Sequence, residues 1–411
     1  MKVLFVYFVI IIIGYIRVTH KIDELALFAF IFFLPFKNML LPNEVLLGRI
    51  GPDNLATFIL IIIIILNGWK KYPPSEVTEY YRFLFWWMII FMYIIPYYIN
   101  IKGEILGISL EYIQTYQVIR DISFIIALAY TFNQLADPKK YNVIFNALMG
   151  GYFLAGLSTF APDFIGHLGL NSTNYFSVVE RSSGLLFLNP NAAGGYFAFC
   201  LGITLAIIKY YQNVKKINYL LIIVCIVLFG GVLGTGSRTG LICSMLVVAF
   251  FLADIRILEI HFNKYILIIF ILFGMYYMYL LYGQLSQNRM IEAVETQGGS
   301  LQSRFTHWQI YISELKEHPN YILMGNRTPI NYAYNVHNHY LYLLYNAGIL
   351  SFILYILFYI KLFNKHSSLK PKSKRGPVSY AIVAILIGGI TGVQLPNPIA
   401  FVALSMLAIN I

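Results

Sequence analysis

The stretch Asn335-Val-His-Asn-His-Tyr-Leu-Tyr-Leu-Leu-Tyr-Asn-Ala-Gly-Ile-Leu-Ser351 closes the longest polar interruption of a strongly apolar chain and opens a further apolar helix. His337 and Asn338 therefore lie where a long loop reaches the start of a hydrophobic segment. A titratable ring and an amide are costly at such a position unless another group satisfies or uses them. The junction is a candidate functional site.

Apolar residues dominate the rest of the chain. Hydrophobic residues make up 59% of the 411 residues, charged residues only 11%, and the mean hydropathy is +0.70. A soluble domain carries about 25% charged residues. The apolar runs are long enough for spanning helices, so we predict an all-α integral membrane protein, a polytopic bundle of about twelve or thirteen transmembrane helices. The predicted spans are 3–16, 24–41, 55–69, 83–99, 118–134, 141–160, 190–209, 217–235, 238–254, 264–282, 338–363, 377–394 and 397–411.

The distribution of positive charge along the chain indicates which connections face the cytoplasm. The net charge is +11, and 18 of the 29 Lys and Arg residues fall in one set of alternate connections. Basic connections face the cytoplasm. The long loop at 283–336, and His337 with it, is then expected on the opposite side, which is the periplasm of a Gram-negative cell. A nucleic-acid partner is not expected.

Two further features have simple interpretations. Cys200, Cys225 and Cys243 fall inside apolar helices, which favours packing over a disulfide or a metal site. The apolar stretch Met1–Ile16 is not followed by a small-x-small cleavage site, so we interpret it as a retained first helix.

The long loop contains a predicted amphipathic helix over 301–316. Its apolar residues recur every three or four positions, at Leu301, Phe305, Trp308, Ile312 and Leu315. Such a helix can lie in the membrane interface. Arg304, His307 and Glu314 are expected off that face. Gly298-Gly299 and Gly325-Asn326 would permit hinging of a lid, and the alternative is a fixed helix that caps the bundle.

A polar cluster precedes the predicted span at 190–209. Asn189-Pro190-Asn191 suits a turn and a helix start, and Arg181 lies shortly before it. Free backbone N–H groups at the helix start and a guanidinium could together hold a phosphate. The alternative is that Arg181 extends to lipid headgroups.

A second cluster, Gly234–Gly240, forms a glycine-rich turn between two apolar helices. Arg238, next to Ser237, is its single charge. An arginine in so short a connection lies at or below the membrane interface and generally meets an anion. No strand precedes the glycines, which excludes a dinucleotide-binding interpretation.

The remaining chemistry depends on the loop and on His337. Arg304 and Arg327 add positive charge to the same predicted side. A neutral His337 imidazole could accept a proton from an attacking hydroxyl or hydrogen-bond a phosphate oxygen. The chain has no HExxH, Walker A, GxSxG or Asp-x-Asp motif. We therefore expect chemistry without a metal or a cofactor, in which arginines stabilise charge developing on a pyrophosphate.

Taken in order, these clusters resemble the O-antigen polymerase and O-antigen ligase family, the Wzy/WaaL group of bacterial envelope glycosyltransferases. The family pattern His-[Asn/Ser/Gln]-x9-Gly-x-x-[Gly/Thr/Tyr] is met by His337, Asn338 and Gly348, with a departure at Ser351. The other matching features are Arg181-x-x-Gly184 with Asn189-Pro-Asn191, Ser237-Arg238, and Arg304-x-x-x-Trp308 followed by Glu317-His-Pro319 and Gly325. The resemblance covers roughly 180–363.

The resemblance implies a GT-C-like fold in the inner membrane with its active site facing the periplasm. The donor would be a glycan on undecaprenyl pyrophosphate. By the same resemblance, Arg181, Arg238 and Arg304 would hold the pyrophosphate, and His337 would activate the acceptor or position the phosphate. Additional candidates for substrate binding are Arg327, Asn338, Asn189, Asn191 and Ser237. The chain divides into N-terminal helices at 1–180 and a polymerase/ligase-like core at 181–411.

The acceptor decides between two activities. A polymerase transfers the glycan to another lipid-linked repeat unit, with a chain-length regulator protein as a possible partner, and a ligase transfers it to lipid A–core. The many Tyr (33) and Phe (32) residues favour a polymerase, by analogy with enzymes dedicated to one repeat unit. A lipid-linked sugar transporter is less favoured, because the charges crowd the loops and no repeated halves occur. Tyr340, Tyr342 and Tyr345 could stack on sugars or belong to an aromatic belt.

Overall fold

The computed structural model gives the architecture of the parts of the chain that surround these clusters. It describes residues 22–36, 52–68, 123–135 except 125 and 132, 137–160, 173–176, 180–184, 190–212, 219–256, 300–325, 338–368, 382 and 386. The helices in these ranges are α1 (Ile22–Phe33), α2 (Pro52–Asn67), α3 (Pro138–Phe160), α4 (Pro190–Gln212), α5 (Tyr219–Gly234), α6 (Arg238–Arg256), α7 (Ser300–Glu317), α8 (Asn320–Met324) and α9 (His339–Ser368). The strands are β1 (Thr173–Phe176) and β2 (Glu180–Gly184).

The described helices follow the predicted spans closely. Helices α3 to α6 agree with the spans predicted at 141–160, 190–209, 217–235 and 238–254 to within one helical turn. The span predicted at 24–41 is too long, because α1 ends at Phe33. Pro35 follows two residues later, and its missing N–H and fixed ring cannot continue a helix.

Other predicted spans lie partly or wholly beyond these ranges. Residues 123, 124 and 126–131, within the span predicted at 118–134, are helical, as are residues 382 and 386 within the span at 377–394. The spans predicted at 3–16, 83–99, 264–282 and 397–411 lie outside the described residues. The helical class is confirmed, and the count of about twelve or thirteen spanning helices stays a prediction.

A short β-hairpin, which the sequence does not predict, accompanies the helices. Strands β1 and β2 are antiparallel, with Tyr175 opposite Arg181 and a register shift after Thr173. β1 combines a β-branched residue with two aromatic residues, Tyr175 and Phe176, which are composition signals for a strand. A strand of four residues is too short to show a clear alternation of apolar and polar residues, so the sequence does not predict the hairpin. β2 packs against α3, α4 and α5.

Glycines bring the central helices into close contact. A Cβ on Gly156 of α3 would lie 2.9 Å from the Val227 carbonyl oxygen of α5, and a Cβ on Gly234 of α5 would lie 2.6 Å from the Thr159 carbonyl oxygen. The paired numbers rise together along both helices, so α3 and α5 run parallel. Small residues allow helix backbones to approach in this way.

The opposite end of these helices is fixed by a buried lysine. Lys140 Nζ of α3 lies 3.2 Å from Asp23 Oδ2 of α1, hydrogen-bonds Gln134 and lies 5.8 Å from the Tyr130 ring centre. A buried ammonium needs such partners. The pair places the starts of α1 and α3 at one end, as expected if the connections before them share a side of the membrane. The cytoplasmic assignment of that side stays a prediction.

The exposed surface of several helices is apolar. Among the described helices, Lys139–Phe160 of α3, with 22 residues, is the one that is long and apolar enough to cross a membrane, and shorter apolar helices accompany it. Rows of aliphatic residues are exposed on α5 at Leu220, Ile223 and Ile226, and on α9. A helical membrane protein presents such rows to lipid.

The predicted amphipathic helix of the loop is confirmed as α7, but the face that packs differs from the prediction. Tyr311 and Leu315 are buried together with Tyr345 of α9, and we call these three residues the loop cluster. Phe305 is 53% exposed and Ile312 is 41% exposed. The pattern failed because tyrosine was not counted as an apolar position, although its ring packs well on another ring.

This shift in the packed face also changes the interpretation of residue 304. Positions 304, 308, 311 and 315 are separated by four, three and four residues, which places them on one face of α7. The backbone position of Arg304 is therefore on the face that contacts α9, whereas the sequence analysis expected it off the apolar face.

Candidate functional site

The turn between α5 and α6 is built by hydroxyl groups and one glycine. Gly236 has φ +56°, a left-handed conformation that glycine adopts without strain. The Ser237 N–H donates to Thr235 Oγ1 at 3.2 Å, and the Gly240 N–H donates to Ser237 Oγ at 3.1 Å. Ser237 is thus the N-cap of α6, and Arg238 is its first residue. Ser237 was a substrate-binding candidate; it is buried, and its oxygen caps the helix that begins with Arg238.

This turn packs directly on the start of α4. A Cβ on Gly194 would lie 2.5 Å from Ser237 Cβ, and a Cβ on Gly240 would lie 2.5 Å from the Gly194 carbonyl carbon. Gly194 is one helical turn after Asn191, the second residue of α4. The two sequence clusters at 189–195 and 234–240 therefore meet. The first turns of α4 and α6, with their free N–H groups and positive dipole ends, lie side by side.

The hairpin that contains Arg181 packs on the same group of helices. β2 contacts α3, α4 and α5, and residues 185–189 alone separate it from the start of α4 at Pro190, so the chain keeps it near that helix start. We call this region the arginine end. It comprises the backbone positions of Arg181 and Asn191 and the start of α6 at Ser237 and Arg238. Extended backbone in β2 and two helix starts can together present cations and N–H groups to an anion.

Asn338 has a structural role that the sequence analysis did not assign. Its Oδ1 accepts hydrogen bonds from the N–H groups of Tyr340 at 3.0 Å and Leu341 at 3.1 Å. Asn338 is therefore the N-cap of α9. His337 immediately precedes the cap in sequence.

Helix α9 breaks at the glycine of the same pattern. Gly348 has φ +78° and ψ 174° inside α9, so the span predicted as one helix at 338–363 consists of a short helix before Gly348 and a longer one after it. A Cβ on Gly348 would lie 2.5 Å from the Leu323 carbonyl oxygen and 3.0 Å from the Gly325 nitrogen. Gly325 itself has φ +79° and closes α8. The end of the long loop therefore rests on the break in α9.

Tyrosines attach the short first part of α9 to its surroundings. The Tyr345 ring lies 4.7 Å from that of Tyr311 and 6.0 Å from that of Tyr321, centre to centre. The Tyr340 hydroxyl donates to the Leu386 carbonyl oxygen at 2.7 Å. Tyr345 is buried, so it packs inside the protein and does not present its ring to a sugar.

Several predicted site residues are not placed. His337, Arg327 and Asn189 lie outside the described residues, and Arg181, Asn191, Arg238 and Arg304 are placed by their backbone. The structure brings the starts of α4 and α6, at Asn191 and at Ser237–Arg238, together, and β2 with Arg181 packs on α4. It joins the loop helix to the start of α9 as a second group. Convergence of His337 with the arginine end stays a prediction.

The three cysteines lie inside described helices. Cys200, Cys225 and Cys243 are free and buried in α4, α5 and α6, as predicted for packing residues. Within the described residues, no group of three or more His, Cys, Asp and Glu side chains is placed to hold a metal ion.

The comparison with known families bears on the second half of the chain. Residues 223–356 match the family model Wzy_C, described as O-antigen ligase. The match includes Ser237, Arg238, Asn338 and Gly348, and it ends before the last turns of α9; Arg181 lies outside it. The chain matches no curated protein sequence.

The apolar helical fold agrees with this match, and the matched family suggests a membrane-embedded enzyme of the glycosyltransferase-like ligase type. The match supports the O-antigen ligase/polymerase family for this chain, as the sequence motifs indicated. This family implies lipid-linked glycans as substrates and the inner membrane as the location.

Proposed function

We propose that this protein is an O-antigen polymerase that transfers a glycan from undecaprenyl pyrophosphate to the terminal sugar of a second lipid-linked repeat unit. The reaction takes place at the periplasmic face of the inner membrane. The observation that carries the proposal is the arginine end, where the strand of Arg181 and the helix start at Arg238 lie against the start of α4. This region has the charge and the free N–H groups that a pyrophosphate requires.

The proposed chemistry needs one bond to form and one to break. The acceptor hydroxyl oxygen attacks the anomeric carbon of the donor sugar, and the bond between that carbon and the pyrophosphate oxygen breaks. The lipid pyrophosphate leaves with the electron pair of that bond. Arg181 and Arg238, with Arg304 and Arg327 from the loop, stabilise the negative charge that develops on it.

His337 takes one of two roles in this scheme. It accepts the proton of the attacking hydroxyl, or it donates a hydrogen bond to a phosphate oxygen. Asn338 supports either role from the backbone, because its cap fixes the start of α9 directly after His337.

A second candidate is the O-antigen ligase reaction, which the description of the matching family favours. The donor and the bond broken are the same, and the acceptor is lipid A–core. The two candidates differ only in what occupies the acceptor site.

Deletion of the gene in the native strain tests both. A polymerase deletion leaves a single repeat unit attached to the core, because ligation continues without elongation. A ligase deletion leaves bare core and accumulates long lipid-linked polymer. Unchanged surface polysaccharide would contradict both candidates. Complementation with wild-type protein and with the His337→Ala variant, at matched membrane levels, then tests whether that residue is required.

A further inference from the structure

We infer that Gly348 is a positioning residue for transfer: its missing side chain lets α8 dock on α9 and so fixes where the segment Asn338–Ala347 lies. The inference rests on the proposed function, because this segment follows His337 in the chain. It assigns a physical task to Gly348 that the motif alone does not reveal.

The first support is the backbone of Gly348 itself. Its φ of +78° with ψ of 174° falls in a region that is essentially restricted to glycine. A Cβ would lie 2.5 Å from the Leu323 carbonyl oxygen and 2.9 Å from the Leu323 carbonyl carbon. Both atoms are backbone, so no side-chain rotation relieves the contact. A methyl group at 348 must displace α8, the segment Asn338–Ala347, or both.

The second support is that the segment is attached at both of its ends. Near its end, Tyr345 packs on Tyr311 of α7 in the loop cluster. Near its start, Tyr340 donates to the Leu386 carbonyl and packs on Phe352, beyond the break. The segment therefore packs on α7 and also on the longer part of α9, and Gly348 lies at the break between the two parts of α9. A shift there is transmitted to the Asn338 cap.

The third support is that the arginine end is built from other elements. It consists of β2 with the starts of α4 and α6, whose contacts involve Gly194, Ser237 and Gly240. A change at Gly348 should therefore displace His337 and Arg304 of α7, which act on the charge that develops during transfer, while the contacts that hold the donor before transfer at the arginine end stay intact. In kinetic terms, kcat falls and KM for the donor stays unchanged.

The test compares Gly348→Ala with Gly68→Ala in purified protein, using lipid-linked repeat units extracted from the native strain. Gly68 also has a positive φ, +74°, but a Cβ there meets nothing within 4 Å. The control thus carries backbone strain without the contact. Since a displacement of about 1 Å costs about a hundredfold in rate, kcat of Gly348→Ala should fall about tenfold to a hundredfold. Gly68→Ala should keep the wild-type kcat.

A second readout reports position without relying on activity. Leu315 is 7% exposed in the loop cluster, so a Leu315→Cys substitution should react slowly with a membrane-impermeant maleimide. Adding Gly348→Ala should accelerate labelling, and adding Gly68→Ala should not. The native cysteines are buried and give little background.

The outcomes separate this inference from the proposed function. A wild-type protein without transfer activity overturns the proposed function, while faster labelling in Gly348→Ala still supports the positioning of the segment. An active wild type, with Gly348→Ala unchanged in both kcat and labelling, overturns the inference. Should Gly348→Ala fail to accumulate, Tyr311→Ala loosens the packing of the segment on α7 without touching the backbone at 348. The inference then requires a lower kcat with an unchanged donor KM, and wild-type kinetics would contradict it.

Discussion

The contact between α4 and α6 at Gly194 and Gly240 allows a sharp prediction. In Gly240→Ala, the new methyl carbon would lie 2.5, 2.6 and 2.7 Å from the carbonyl carbon, Cα and carbonyl oxygen of Gly194. Ordinary carbon–carbon contacts are about 3.5–4.0 Å, so the two helix starts must separate by about 1 Å. Only backbone atoms are involved, and the separation cannot be avoided by a rotamer change.

This separation should lower both stability and activity. Overpacking of this kind costs about 1–3 kcal/mol. A displacement of about 1 Å between groups that hold one substrate costs about a hundredfold in rate. Because Arg238 begins α6 and Asn191 lies at the start of α4, we expect activity to fall by about this factor, beyond what the loss of folded protein explains.

The assay is transfer by purified protein in nanodiscs, normalised to the folded fraction from thermal unfolding. Gly150→Ala is the matched control. Its Cβ would lie 3.2 Å from a ring carbon of Phe32, and a side chain can yield where a backbone cannot. If Gly240→Ala unfolds and reacts like Gly150→Ala, the proposed dependence of the site on this helix contact is wrong.

Three further substitutions test individual contacts. Ser237→Ala should lower stability by about 1 kcal/mol through loss of the α6 cap, and Ser237→Thr should restore most of it; equal thermal unfolding of the two variants would contradict the cap. Asn338→Ala should cost about 1 kcal/mol and reduce transfer, whereas Asn338→Ser should retain the cap and most of the activity, which the same unfolding and transfer assays measure. Lys140→Met should lower the unfolding temperature, because it leaves Asp23 without its ion-pair partner. Since Asp23 is 20% exposed, we expect a loss of about 1–3 kcal/mol in the free energy of unfolding. An unchanged unfolding temperature would mean that the ion pair contributes nothing to stability.

The helices with long apolar runs could be read from the sequence. A periodic pattern of apolar residues is not needed to identify α5, because nearly every residue in it is apolar. The starts of α4 and α6 follow from Pro190 and from the turn at Gly236. The predictions of secondary structure failed where the local sequence signal was weak, or where a tertiary contact determined the backbone conformation. The hairpin at β1 and β2 is too short for a periodic pattern, and the break at Gly348 exists because α8 docks there.

The candidate site was predictable in its residue types and less so in its arrangement. Arg238 and Arg181 were identified because charged residues are rare in an apolar chain. The position of Arg238 beside the start of α4 could not be inferred, because it depends on the close approach of Gly194 and Gly240. Asn338 and Ser237 were identified as polar groups, but a sequence does not distinguish a cap from a ligand contact. Hydrogen-bond geometry assigns both as caps.

The central claim is that glycosyl transfer depends on the arginine end. Measuring the release of undecaprenyl pyrophosphate tests it most directly. The measurement uses purified wild type, Arg238→Ala and Arg238→Lys in nanodiscs, with lipid-linked repeat units as both donor and acceptor. We expect the wild type to release lipid pyrophosphate and form longer glycans. Arg238→Ala should lose about a hundredfold or more in kcat, and Arg238→Lys should recover only part of it, since lysine lacks the paired donors of a guanidinium. Full activity of a folded Arg238→Ala variant would contradict the account.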